Sequence, residues 1–293
     1  TGCGSCAEVC PVFFKNEFDM ELGVRKGAYV PFPQAVPLKY TLERDKCMRC
    51  GLCKLACEVG AINYDQSEEL VEVDVGAIVV ATGYDLFDAG KLPEYGYGKY
   101  ENVITGLEFE RLCSASGPTG GKILLRDGRE PKKIVFIQCV GSRDRSGRAN
   151  PYCSRVCCMY TAKHAHLAHE KVPGSEITIF YTDVRAFGKG YEEFYNRVKD
   201  EGVKYIRRDL EKPISVTQKD DGRLLVRAEN SDHPIELEAD LVVLAAATVP
   251  RWDAEKMARM LKISQSADNF FSEAHPKLRP VDTFTEGIYL AGS

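Results

Sequence analysis

The chain is expected to be an α/β protein with a small cysteine-dense unit ahead of its layered part. Three observations predict this. After Gln66 short apolar strands alternate with helical stretches, the texture of α/β layers. Seven of the 12 cysteines fall within the first 57 residues at close spacing. A length of 293 residues with 44% hydrophobic content suits one large or two to three small domains with a real core. The net charge of -4, from 39 basic and 43 acidic residues, gives no reason to expect nucleic acid or an anionic membrane as partner. No apolar run approaches the roughly 18 residues of a membrane span, so a soluble protein of the reducing cytoplasm is expected.

Residues 1–70 are read as the cysteine-rich domain. The stretch DKCMRCGLCKLACEVGAI contains a full CxxCxxCxxxC run, Cys47, Cys50, Cys53 and Cys57. Such spacing wraps three thiolates around one 4Fe-4S cubane, lets the backbone approach at Gly51, and turns the fourth thiolate to a neighbouring cluster. The opening TGCGSCAEVCP supplies Cys3, Cys6 and Cys10, one cysteine short of the same run. Cys47, Cys50 and Cys53 with Cys10 therefore complete one ferredoxin-type cluster, and Cys3, Cys6 and Cys57 hold three corners of another. Zinc is the main competitor for four thiolates, although zinc ribbons usually pair CxxC units. Glu58 stands where the first run has Pro11, outside the ligand set. The intervening AYVPFPQAVPLKY reads as an ordered loop or strand insertion.

Further along, VEVDVGAIVVATGYD contains a buried-strand run, Ala77 to Ala81, ending in a turn at Thr82 and Gly83. KKIVFIQCVGS, SEITIFYTDV and VKYIRRD are each a parallel strand with helical stretches between them. ISVTQKDDGRLLVRAE is a hairpin turning at Asp221 and Gly222. ADLVVLAAATVP and EGIYLAGS close the set. KHAHLAHE has no accompanying carboxylate pair and is read as a helix surface or a satisfied polar contact rather than a metal site. Cys113 and Trp252 are read as packing residues.

A third cysteine group, Cys139, Cys153, Cys157 and Cys158, lies where a nucleotide-binding strand would run into its glycine turn. Asn150 and Pro151 resemble the N-cap and first residue of a helix, which would put Cys153 in its first turn and Cys157 on the same face. The helix terminus with Arg143, Arg145, Arg148 and Arg155 would favour thiolates. Spacing alone leaves an unusual cluster, a zinc site, a redox disulfide and buried free thiols all open.

The order of segments resembles the two-dinucleotide-binding-domain flavoproteins of the thioredoxin-reductase-like type. In these an FAD domain is interrupted by a second Rossmann-like domain, and the ATG and GIYLAG segments lie against FAD. Two absences stand beside this: no GxGxxG precedes residue 77, and none follows Ile134 to Gln138. More specifically, IVFIQCVGSRD, NPYCSRVCCMYTAKHA, AIVVATGYDLFD and HPKLRPVDTFTEGIYLAG closely resemble the A-subunit family of heterodisulfide reductase, its iron-sulfur flavoprotein, over essentially the whole chain. The resemblance implies a flavoprotein core with an α+β two-cluster ferredoxin-like domain inserted. It also implies a non-ferredoxin 4Fe-4S cluster on Cys139, Cys153, Cys157 and Cys158, FAD contacts at Thr82, Gly83, Pro280 and Gly292, and Lys163 near the flavin.

The expected domains are 1–70, ferredoxin-like; 71–130, part of the FAD domain; 131–250, the Rossmann-like domain with the third cysteine group; and 251–293, a return to the FAD domain. The chain is expected to be a fragment, cut ahead of Thr1 and after Ser293, with one cluster a thiolate short and weak FAD binding on its own. By resemblance its function is electron transfer between FAD and 4Fe-4S clusters in a complex of the methanogenic type. Flavin-based electron bifurcation would there couple disulfide reduction to ferredoxin reduction. The implied partners are other heterodisulfide reductase subunits, hydrogenase or formate dehydrogenase modules, and ferredoxin. An NAD(P)H-dependent flavoprotein fused to a ferredoxin domain and a non-catalytic zinc scaffold are the rival readings.

Overall fold

The long apolar runs of the second half become the strands of one parallel sheet. The computed structural model describes residues 2–230 and 233–292, and the chain divides into two units. The first runs to Leu70 and also takes in Leu107–Glu130; the second comprises Val71–Gly106 and everything from Pro131 onward. Residues 107–130, expected with the FAD-domain portion, thus group with the cysteine-rich segment.

In the first unit, helix α1 (Ser5–Glu8) is followed by the antiparallel pair β1 (Phe13–Lys15) and β2 (Val24–Lys26). The pair β3 (Ala28–Tyr29) and β4 (Thr41–Leu42) and the short helix α2 (Leu52–Leu55) complete it. The segment between the cysteine runs is therefore ordered strand and turn. Its core is small: Cys6, Ala28 and Cys53 are buried, with Tyr40, Leu42, Ile62 and Tyr64 packed against them. A part-buried ion pair helps where apolar area is scarce. Arg111 donates from Nε and Nη2 to Oδ1 of Asp19 at 2.9 and 2.8 Å, while Asn16 donates to the other oxygen at 2.6 Å.

The second unit begins with β5 (Ile78–Val80), β6 (Asp85–Leu86) and β7 (Val103–Thr105), after which α3 (Gly106–Cys113) leads into the stretch 107–130. Then come β8 (Lys133–Val140), α4 (Cys157–Lys171), β9 (Glu176–Tyr181), α5 (Tyr191–Asp200) and β10 (Lys204–Arg207). An antiparallel meander of β11 (Ile214–Gln218), β12 (Leu224–Glu229) and β13 (Pro234–Ala239) precedes β14 (Leu241–Ala246). The chain closes with β15 (Thr248–Val249), α6 (Ala254–Leu261) and β16 (Ile288–Leu290).

The main sheet has the order β10-β9-β8-β14-β7, parallel throughout. Parallel strands are covered on both faces, which is why β8 and β14 are almost continuously apolar and buried. Each fully buried Ile, Leu, Val or Phe side chain contributes about 1.5–3 kcal/mol, and Phe136, Ile137, Phe180 and Leu244 are among them. Helix α4 turns Cys158, Thr161, Ala162, Ala165 and Ala168 inward, the spacing of one helical face. The hairpin at Asp221–Gly222 forms as expected, with Gly222 left-handed at φ 82°.

Strands β5 and β16 pair in parallel, Ile78 with Ile288. Only Val80 of β5 is buried, whereas Ile78 and Val79 are 39% and 62% exposed. The expected buried strand exists as a strand but is covered on one side only. Trp252, expected in the packing, is 81% exposed; the chain is held there through its backbone N–H, which donates to Asp85 at 2.9 Å. Cys113 is buried as expected.

Candidate metal centres

One turn occurs twice in the first unit. Gly4 (φ 88°) and Gly51 (φ 81°) each start a four-residue helix from a left-handed conformation, which costs an L-residue about 1–2 kcal/mol and glycine almost nothing. Each helix turns one cysteine inward, Cys6 from α1 and Cys53 from α2. Cys10, Cys47, Cys50 and Cys53 line a single hollow, walled by Pro11, Val12, Leu42, Met48 and Tyr64. These are the four thiols that the spacing assigns to one cluster. Gly27 forms part of the wall, and a Cβ there would stand 3.3 Å from the Cys10 sulfur.

The sulfurs are met by donors suited to thiolate. The Arg49 N–H reaches Cys47 at 3.4 Å and the Ala61 N–H reaches Cys57 at 3.2 Å. Tyr64 Oη lies 2.9 Å from Cys53 Sγ, and that contact is the main cause pushing its phenol up to about 12. Burial pushes the Cys6 thiol up, with Cys3 and Cys53 adding to it. Cys3 is exposed and Cys57 half-buried. A hollow with four thiols, apolar walls and backbone N–H groups facing sulfur fits a 4Fe-4S group.

The second centre lies at the end of the main sheet. In the order β10-β9-β8-β14 the connections reverse between β8 and β14, and ligands of open α/β sheets bind at such a point, beyond the carboxyl ends of the strands. Cys139 occupies this position in β8, with a left-handed φ of 62° that few non-glycine residues adopt. The following loop is tied back to both strands. Asn150 donates its backbone N–H and its Nδ2 to the Gly141 carbonyl at 3.1 and 3.0 Å. Tyr152 Oη donates to the Thr248 carbonyl at 3.0 Å, and the Thr248 N–H donates to Ser154 Oγ at 3.0 Å.

Helix α4 begins at Cys157, with Val156 in the capping position. The start expected at Asn150 and Pro151 does not form. Asn150 spends its side chain on Gly141, and Arg155, left-handed at φ 67°, breaks any helical path from Cys153. That turn has a purpose, because the Arg155 N–H thereby reaches Cys153 Sγ at 3.4 Å. Arg49 and Cys47 make the same arrangement in the first unit, where Arg49 also has positive φ.

The four thiols are close enough for ionisation of one to oppose another. Burial is the main cause that raises Cys139, and Cys153 adds to it. Cys157 and Cys158 are both pushed up to about 11, chiefly by burial, with Cys139 acting against each. Cys158 donates to Gln138 Oε1 at 3.7 Å and to the Asp183 carbonyl at 3.6 Å. Metal binding displaces the proton of a thiol, and four thiols together fit a metal–sulfur group better than a redox disulfide. Among the described residues, no three His, Cys, Asp or Glu side chains meet where one ion would touch all of them.

The arginines expected to supply positive potential are mostly engaged elsewhere. Arg143 pairs with Asp183 at 2.9 Å, Arg145 with Glu211 at 3.0 Å and Arg148 with Glu94 at 2.7 Å. Arg155 lies over the Phe187 ring at 5.4 Å. The missed cation is Arg208, 3% exposed, whose Nη2 donates to the Gln138 carbonyl at 2.9 Å. His166 contacts Glu201 at 2.9 Å through Nδ1, as its reading as a polar contact requires.

The residues implied for flavin contact collect at one end of the β5–β16 pair. Thr82 and Gly83 follow β5 and Gly292 follows β16; all are exposed, and both glycines are left-handed with open space beside them. Pro280 is brought there by its neighbour Val281, whose carbonyl accepts from the Leu290 N–H at 2.7 Å. Lys163 stands on the exposed side of α4. These strand-end turns leave backbone accessible to a ligand, and no glycine-rich strand-to-helix turn accompanies them in this sequence.

Comparison with known proteins adds three kinds of finding. Residues 40–63 match the family model described as a 4Fe-4S binding domain. The chain is 52% identical over 296 residues to the A-type subunit of the H(2):CoB-CoM heterodisulfide,ferredoxin reductase of Methanothermobacter marburgensis, covering 100% of this chain and 44% of that protein. It is 55% identical over 298 residues to an A-type iron-sulfur subunit of the CoB-CoM heterodisulfide reductase of Methanopyrus kandleri, covering 100% and 45%. The chain therefore spans under half the length of these curated relatives. Among solved structures, the thioredoxin reductase of T. acidophilum has a TM-score of 0.41 at 14% identity, covering 74% of this chain and 56% of that one.

Proposed function

Because the chain belongs to the A-subunit family of heterodisulfide reductase, we propose that it is the electron-transfer segment of such a subunit, carrying iron–sulfur centres on its three cysteine groups and part of a flavin site. The observation that carries this is the gathering of Cys139, Cys153, Cys157 and Cys158 at the switch point of the sheet, where a nucleotide-binding domain would hold its pyrophosphate. When bound, each cluster supplies a one-electron carrier and a flavin a two-electron one. The protein's part is to hold the groups. Cys10, Cys47, Cys50 and Cys53 would bind one ferredoxin-type cluster, and Cys3, Cys6 and Cys57 contribute to a second. Thr82, Gly83, Pro280 and Gly292 would border the flavin, with Lys163 as a nearby cation. Apolar side chains, among them Val12 and Leu42, wall the hollow around these sulfurs.

Several relatives' names join a heterodisulfide to ferredoxin and H(2), and one adds formate. On that basis the whole protein would work by flavin-based electron bifurcation, with hydrogenase or formate dehydrogenase modules as donors and ferredoxin among the acceptors.

Iron and acid-labile sulfide analysis with anaerobic EPR of the full chain tests the cysteine assignment. Cys153→Ala is expected to remove one cluster signal and leave those of the first unit. Unchanged iron content in that variant, or zinc in place of iron throughout, would overturn it.

A further inference from the structure

Arg208 follows β10 at the end of the main sheet where Cys139 lies. Its backbone N–H donates to the Tyr181 carbonyl at 2.7 Å, and its Nη2 donates to the carbonyl of Gln138, the residue before Cys139. The side chain is nine-tenths or more buried, and its Nε has no hydrogen-bond partner. Among the described residues no carboxylate stands within ion-pair distance of it, whereas Arg143, Arg145 and Arg148 each have one. A buried guanidinium is always charged, and leaving it without a counter-charge is costly. The groups at hand are a buried phenol, Tyr95, and the thiols of the second centre.

We infer that Arg208 is the fixed counter-charge of the cluster held by Cys139, Cys153, Cys157 and Cys158, and that it sets that cluster's reduction potential without ligating it. The inference rests on the proposed cluster at those cysteines. Four thiolates around a cubane leave a net negative group, and one arriving electron makes it more negative by one charge. No bond forms or breaks and no proton moves. A buried positive charge at fixed distance stabilises the reduced form more than the oxidised form, so it raises the potential. Arg208 is thus a positioning residue, and its burial is explained by the charge it faces. The paired Arg143 is largely cancelled by Asp183 and contributes less.

The test is an EPR-monitored redox titration of the full, iron-loaded chain, with the ferredoxin-type clusters as internal reference. Arg208→Gln is expected to shift the reduction equilibrium of the second-unit cluster at least tenfold toward the oxidised form, about 59 mV downward for a one-electron couple. The reference clusters should not move. Arg208→Lys, which keeps the charge, should retain most of the wild-type potential. A loaded Arg208→Gln protein with unchanged potential overturns the inference. If Arg208→Gln does not load, Arg208→Lys decides: loading with a near-wild-type potential supports the counter-charge, and failure to load overturns it. A wild-type chain with no cluster signal sensitive to Cys153→Ala would instead refute the underlying cysteine assignment, and the inference with it.

Discussion

Gly141→Ala should destabilise the loop of the second centre more than Gly147→Ala does, and the cost can be worked out by parts. Gly141 has a φ of 76°, and a Cβ there would stand 2.2 Å from Cδ1 of Phe87. The left-handed conformation costs alanine about 1–2 kcal/mol. Displacing the Phe87 ring, which packs on the core beneath the meander, adds about 1–3 kcal/mol of overpacking. The sum is about 2–5 kcal/mol. Gly147, in the same loop, is a built-in control: its φ is 79°, but no atom lies within 4 Å of its added Cβ. Gly147→Ala should therefore cost only the conformational part, about 1–2 kcal/mol. Anaerobic urea unfolding of the second unit, followed by far-UV circular dichroism for wild type and both variants, measures the difference. Because the Gly141 carbonyl anchors Asn150 twice, iron retained on the Cys153 loop should fall with stability. Equal destabilisation by the two variants would refute the role given to Phe87.

Two further outcomes concern the first unit. Tyr64→Phe removes the hydroxyl at Cys53 and should lower the potential of the cluster on Cys10, Cys47, Cys50 and Cys53, by less than a tenfold change in its reduction equilibrium; redox titration checks it, and a rise would contradict the donor role. Asp19→Ala leaves the half-buried Arg111 guanidinium with only the Ser116 carbonyl as acceptor and should cost about 1–3 kcal/mol, the loss of a charge-assisted hydrogen-bond partner. Limited proteolysis should then cut the stretch 107–130 faster, and an unchanged rate would show that the pair does not hold it.

The strands were legible because parallel strands buried on both faces are written as nearly continuous apolar runs, and β8, β9 and β14 are. The cysteine groupings were legible because ligand spacing is local. The start of α4 was not: Asn150 and Pro151 carry the residue chemistry of a helix start, and only the loop hydrogen bonds show Asn150 employed elsewhere. Left-handed Cys139 and Arg155 leave no trace in residue type. Arg208 sits in YIRRDL beside another arginine, which reads as surface charge; only burial without an acid partner distinguishes it. The attachment of 107–130 to the first unit depends on pairs distant in sequence, such as Asp19 with Arg111.

The parallel pair β5–β16 also constrains the order in which the second unit can assemble. Its partners, Ile78 and Ile288, are separated by nearly the whole unit, so closing them directly from an open chain would be slow. Once β8, β9, β10 and β14 have formed, the remaining closure is short and the pairing becomes a late, local event. Its residual exposure of Ile78 and Val79 makes it a weakly buttressed clasp. Hydrogen exchange at the Ile288–Leu290 amides should accordingly report the last step of folding and the first of opening, well ahead of exchange in β8.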